Sequence, residues 1–223
     1  MNITLPDGGK IELEDNSTIL DAAKKISNSL AKKAVAGVVN DKIVDLNTAL
    51  HNEDNIKILT ESDKEALEIL RHSTAHLMAQ AVLRLYPETK VTIGPVVENG
   101  FYYDFDRDTP FTVEDLEKIE KEMAKISAEN IAVTRKEISS SEEIDRFTKE
   151  DEKYKVEIIK DLGVDTVSLY EQGDFTDLCR GPHISSTGKI KHFKLLSVAG
   201  CTRCNEKGHD RMGSLELGTS DRA

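Results

Sequence analysis

Residues 62–87 decide how this chain folds: Ser62-Asp63-Lys64-Glu65-Ala66-Leu67-Glu68-Ile69-Leu70-Arg71-His72-Ser73-Thr74-Ala75-His76-Leu77-Met78-Ala79-Gln80-Ala81-Val82-Leu83-Arg84-Leu85-Tyr86-Pro87. Ser62 with Glu65 three positions on is a capping box and predicts a helix start. Pro87 cannot continue a helix and predicts its stop. Leu67, Leu70, Thr74, Leu77, Ala81 and Leu85 recur at helical spacing as one apolar face. His72 and His76 fall on another stripe, with Ile69, Ala79 and Leu83, one turn apart on the same side. Ser73, Ala75 and Ala79 are small and leave room for something to approach.

A second motif answers the first. Asp177-Leu178-Cys179-Arg180-Gly181-Pro182-His183 puts a thiol four residues before an imidazole, and Arg180-Gly181-Pro182 bends the chain between them. Three histidines and a cysteine in two local pairs can hold a zinc ion. They can equally line a hydrolytic pocket that positions water. The residues alone leave both readings open. Cys201-Thr202-Arg203-Cys204 with His209 also mimics zinc spacing, but it lacks a second pair nearby and is not expected to be a site.

Upstream of the helix, Asn2–Leu5 and Lys10–Leu13 alternate around Pro6-Asp7-Gly8-Gly9 and predict a hairpin. Ser17 or Thr18 caps a helix running to about Leu30. Ala34–Val39, Lys42–Asp45 and Asn55–Leu59 read as strands. This β-β-α-β-β-β order fits a ubiquitin-like β-grasp. Downstream, Thr92–Val97 and Gly100–Phe105 read as strands around Glu98-Asn99-Gly100. Thr112 caps a helix with the seam Leu116, Ile119, Met123 and Ile126. Strands are expected at Ile131–Ile138, Tyr154–Ile159, Val167–Glu171 and His192–Val198, and a short helix at Glu142–Lys149. The second domain is therefore α+β, with helices packed on a mostly antiparallel sheet. In that reading Lys155 points outward from a strand, either simply solvated or aimed at a wet cleft where its charge can hold a water or a carbonyl, and the residues alone favour the solvated lysine. Tyr102 and Tyr103 read either as a stacking platform for a nucleotide or as strand packing.

The net charge of −11 argues against a general nucleic-acid binder. Yet from Arg180 to Lys207 the chain carries Arg180, Lys189, Lys191, Lys194, Arg203 and Lys207 against Glu206 alone, a strip that can meet a phosphate backbone or simply face solvent. No apolar run approaches the ~20 residues of a membrane helix. Three cysteines and a start without an export signal favour reduced thiols and a cytoplasmic location.

The words RHSTAHLMAQAV (Arg71–Val82), IGPVVENGFYYDFD (Ile93–Asp106), YKVEIIKDL (Tyr154–Leu162), DLCRGPH (Asp177–His183) and FKLLSVAG (Phe193–Gly200) resemble the N-terminal half of bacterial threonyl-tRNA synthetases. The resemblance implies a TGS β-grasp domain at 1–61 and a tRNA-editing domain at 62–200. It implies hydrolysis of seryl-tRNA(Thr), because a single methyl group gives a binding pocket only ~1–3 kcal/mol against serine. Carried over by position, Lys155, His72, Cys179 and His183 are the candidate catalytic residues. His76, Tyr103, Asp177 and Arg180 are the candidate substrate contacts. The implied partner is the acceptor end of tRNA(Thr), with neither DNA nor membrane. No cofactor is expected; were zinc bound, His72, His76, Cys179 and His183 would be its ligands. Two alternatives are a zinc-dependent hydrolase of a small ester or amide, and a non-catalytic RNA- or partner-binding module.

Residues 201–223 depart from the family words. Gly213-Ser214-Leu215-Glu216-Leu217-Gly218-Thr219 matches translated restriction sites, so the tail is expected to be vector-encoded and without structure. The length leaves no room for an aminoacylation core, so the chain is not expected to charge tRNA.

Overall fold

The computed structural model describes residues 1–201 and 212–218, with side chains through residue 199. It divides into two units: Met1–Leu70 with Gly181–Ser185, and Arg71–Arg180 with Ser186–Ala223.

In the first unit β1 (Asn2–Thr4) and β2 (Lys10–Glu12) form the expected hairpin. Thr18 caps α1 (Ile19–Ile26) with a full capping box to Asp21. The helix expected to reach Leu30 breaks at Ser27, whose extended backbone (φ −167°, ψ 149°) ends α1. The Ser27 hydroxyl then accepts from Leu30 N–H at 3.0 Å and starts α2 (Asn28–Lys33). β3 (Ala34–Val39) lies between β4 (Lys42–Val44) and β5 (Ile56–Thr60). A parallel bridge from Thr4 to Asn55 joins the hairpin to this sheet, which completes the β-grasp. Ile3, Ile19, Ala22, Leu46, Leu50 and Ile56 form its core. Gly37 permits the close approach of α1, since a Cβ there would stand 2.6 Å from Ile19.

α3 (Lys64–Leu85) is the long helix expected from the sequence. The turn before it is closed by Asp63, which accepts from the Thr60 N–H and hydroxyl. Between Ser73 and Val82 the helix is buried on every side rather than along one apolar face.

In the second unit the expected strand Thr92–Val97 is two short ones, β6 (Lys90–Val91) and β7 (Val96–Val97), interrupted at Gly94-Pro95, where proline has no N–H for a ladder. Both pair with β8 (Gly100–Asp106). α4 (Val113–Glu129) carries the Thr112–Asp115 capping box and ends at Asn130 in a left-handed conformation. β9 (Val133–Ser139) leads into α5 (Ser140–Lys149). α6 (Lys153–Leu162) follows, where a strand was expected. Its buried set, Tyr154, Lys155 and Ile159, has helical spacing, and Gly163 stops it at φ 60°. β10 (Thr166–Gln172) and β11 (Phe175–Leu178) form a hairpin beside β9. β12 (Lys194–Cys201) closes the described continuous chain. Phe147, Ile159, Val167 and Leu169 knit α5 and α6 to β10. Among the described residues no helix is long and apolar enough to cross a membrane.

The expectation of a tail without structure does not hold at residues 212–218. Met212–Gly218 is a strand, β13, lying between β8 and β12. Leu215 and Leu217 alternate with polar neighbours, a strand pattern that the nucleotide reading passed over. Deleting residues 201–223 is therefore expected to lower the melting midpoint by roughly 4 °C or more, because a strand with two partners is lost. An unchanged midpoint in differential scanning calorimetry would show the strand to be dispensable. Cys204 and His209 lie outside the described residues.

Candidate functional site

The site in the second unit is built from four elements. α3 supplies His72 and His76, α6 supplies Lys155, and the end of the β10–β11 hairpin supplies Asp177 and Cys179. Tyr103 reaches the group from β8.

Asp177 is the hub and is 5% exposed. Its Oδ2 accepts from the Tyr103 hydroxyl at 2.8 Å, and its Oδ1 accepts from the Leu178 N–H at 2.9 Å. Lys155 Nζ stands 3.6 Å from Oδ1, and His76 Nε2 stands 3.8 Å from Oδ2. Lys155 Nζ also donates to the Thr176 carbonyl at 3.4 Å. Lys155 is 4% exposed, so the outward-pointing strand lysine expected from the sequence is instead a buried helical one. A helix of ten residues carries it inward on the same stripe as Ile159.

His72 Nε2 and Cys179 Sγ are 2.9 Å apart, in hydrogen-bond contact. The His72 and His76 rings meet edge to face at 5.1 Å, and His76 meets Phe175 in the same way at 5.9 Å. Burial pushes His76 down to about 4, against the opposing charge of Asp177. Burial lowers His72 as well, with Asp177 again opposing. Both imidazoles are therefore neutral bases at pH 7. Burial, with Asp177 beside it, raises Tyr103 well above the ordinary tyrosine value, so its hydroxyl keeps its proton and donates it. Tyr103 is 1% exposed and stacks on Phe105 at 5.0 Å. It is a packed strand residue, not an open platform for a base.

The ligating atoms of His72, His76 and Cys179 lie within 4.8 Å of one another, and their chemistry suits zinc. The His72–Cys179 pair is closed by a direct contact, whereas a nitrogen and a sulfur on one tetrahedral zinc stand about 3.5 Å apart. A metal would have to open that pair. His183 is counted with the first unit, where it is buried and its N–H donates to the Asp45 carboxylate at 2.7 Å. Arg180 is exposed.

Two features went unread in the sequence. The first is Gln80, which donates to the Gln172 carbonyl at 2.9 Å and to Asp174 at 2.5 Å, and accepts from the Gln172 amide at 2.6 Å. Arg84 then binds Asp174 and Glu129. These contacts hold the hairpin carrying Asp177 against α3. Their i, i+4 spacing from His72 and His76 was the available signal. The second is Gly94, where a Cβ would stand 2.3 Å from the Tyr103 ring. Gly94→Ala is expected to cost roughly 2 kcal/mol through forced movement of that ring, measured by urea unfolding. A loss below a few tenths would mean that the ring yields freely.

Residues 1–60 match the TGS domain, and residues 167–212 match the threonyl and alanyl tRNA synthetase second additional domain. The chain is 56% identical over 200 residues to a threonine–tRNA ligase of Pelobacter propionicus, covering 90% of this chain and 31% of the relative. It is 54% identical over 201 residues to that of Anoxybacillus flavithermus, covering 90% and 31%. It is 51% identical over 222 residues to that of Acetivibrio thermocellus, covering 99% and 35%. The chain thus spans about a third of the length of these curated relatives.

Proposed function

The chain is homologous to the N-terminal third of bacterial threonine–tRNA ligases and carries a TGS domain, and on that premise we propose that its second unit hydrolyses the ester of seryl-tRNA(Thr). The observation that carries the reading is the convergence on Asp177 of Lys155, Tyr103 and His76, with the His72–Cys179 pair beside them.

Ester hydrolysis needs a positioned water, a proton acceptor and a cation or donor for the oxyanion. Water attacks the ester carbonyl carbon. The bond from that carbon to the ribose oxygen breaks, and the ribose hydroxyl leaves with a proton, freeing serine. Lys155 orients the water and steadies the developing negative charge. The water's proton passes to neutral His72 or to the vicinal ribose hydroxyl of the substrate. Asp177 receives the serine ammonium or hydroxyl, His76 lies against that carboxylate, and Arg180 contacts the nucleotide end. The partner is the serine-bearing acceptor end of tRNA(Thr), and the reaction belongs to translation in the cytoplasm.

The test is deacylation of seryl-tRNA(Thr) beside threonyl-tRNA(Thr) by the full chain. Faster loss of serine is expected, and equal rates would sink the specificity claim.

A second reading, a zinc hydrolase, draws on the proximity of the His72, His76 and Cys179 donors. Hydrolysis is expected to survive exhaustive chelation, because no step is routed through a metal. Activity lost with EDTA and restored by zinc would move the assignment to that second reading.

A further inference from the structure

Glu152 stands immediately before α6 with its backbone fixed on both sides. Its N–H donates to the Phe147 carbonyl at 2.9 Å, and its carbonyl accepts from Val156 N–H at 3.2 Å. Asp151, with φ of 57°, turns the chain to bring it there. A carboxylate ahead of a helix ordinarily turns onto the free N–H groups of the first turn. Glu152 makes no such capping bond. Its Oε2 is instead buried without a hydrogen bond and lies 3.8 Å from Lys155 Nζ. The nearby buried Glu143 is ion-paired with Arg146 at 2.9 Å; its Oε1 also lacks a hydrogen bond and it feels the charge of Lys155, but Glu152 and Asp177 are the carboxylates within 4 Å of Nζ.

Lys155 Nζ therefore has three acceptors at similar range: Thr176 O at 3.4 Å, Asp177 Oδ1 at 3.6 Å and Glu152 Oε2 at 3.8 Å. Each is longer than a closed ammonium–carboxylate bond of about 2.8 Å. With Asp177 as its sole counter-ion, the ammonium would be drawn into contact and its donors occupied. A second carboxylate offsets that pull and leaves donors for a water or an ester oxygen.

We propose that Glu152 is a positioning residue that suspends the Lys155 ammonium between two carboxylates; its part in the reaction rests on the hydrolase reading above. The first measurement needs no activity. The full chain is treated with formaldehyde and a borohydride, and methylation of Lys155 is compared with Lys153 by mass spectrometry. In Glu152→Gln, Lys155 is expected to react about threefold more slowly while Lys153 is unchanged, because the ammonium drawn into contact with Asp177 has its donors occupied. Single-turnover deacylation of seryl-tRNA(Thr) is expected to slow about 10-fold with the half-saturating concentration held within about twofold. Glu152→Asp, which keeps the charge but retracts it, should fall between.

Unchanged Lys155 labelling in both variants overturns the proposal whatever the rates. Equal acceleration of Lys153 and Lys155 also overturns it, as it reports local unfolding. Faster Lys155 labelling alone overturns it too, and slower Lys155 labelling with undiminished deacylation overturns the role in the reaction. A wild-type chain that does not hydrolyse seryl-tRNA(Thr), with the labelling change intact, supports the positioning role and removes the hydrolase reading instead.

Discussion

Lys155→Ala is expected to slow single-turnover hydrolysis of seryl-tRNA(Thr) by about 10²-fold, a loss of roughly 3 kcal/mol in the transition state. The change should also lower stability, which a solvent-facing lysine would not do. Lys155 is 4% exposed and faces Asp177, itself 5% exposed. Removing the cation leaves that carboxylate with the Tyr103 hydroxyl and the Leu178 N–H as its close donors. Breaking a buried ion pair from one side costs on the order of 3 kcal/mol. Rates should therefore be read at saturating substrate, well below the variant's own midpoint, with urea curves on the same samples. A near-normal rate would remove Lys155 from the chemistry and pass the work to His72 or to the substrate's ribose hydroxyl.

Acid should destabilise the second unit from about pH 6.5 downward. Unfolded histidine takes its proton near its ordinary value of 6.5, whereas buried His76 does so only at about 4. Between those values the unfolded state binds more protons, so the contribution is complete above 6.5 and lost as pH falls toward 4. The difference is worth about 3 kcal/mol for His76, and His72, also lowered by burial, adds in the same direction. Urea unfolding at a series of pH values should show this slope in the wild type and a shallower one in His76→Gln. Identical slopes would mean that His76 protonates in the folded state without penalty.

The parts of the molecule that were legible in the sequence are those where one local signal dominates. Thr18 with Asp21 and Thr112 with Asp115 cap their helices as local chemistry requires. The alternation of the first sixty residues gives the β-grasp. Lys155 was singled out in the sequence but placed in a strand, where the structure has a helix. Tyr154-Lys155-Val156-Glu157-Ile158 alternates apolar and polar residues, and over five residues that pattern competes evenly with helical spacing. Tertiary packing against Phe147 and Leu169 decided for the helix. Local patterning also could not show that α3 is buried all round, because that depends on what surrounds it. The strand at 212–218 was available in the alternation of Leu215 and Leu217, and the restriction-site match took precedence over it.

The polar stripe of α3 has one more consequence. His72, His76, Gln80 and Arg84 are each four residues apart, a rise of about 6.0 Å per step. Their partners retreat along the hairpin from Cys179 to Asp177, two residues or about 6.6 Å of extended chain, and then three residues to Asp174, which takes both Gln80 and Arg84. Helix and hairpin are nearly commensurate over the first step, and the shared Asp174 closes the mesh. Such a mesh tolerates a change of side chain at one tooth, but not a change in the count of residues between teeth. A single insertion within 73–83 rotates every later tooth by about 100°. One within β11 turns Asp177 and the strand residues on one side of the insertion to the opposite face. Descent within this fold should therefore permit length variation in neither segment.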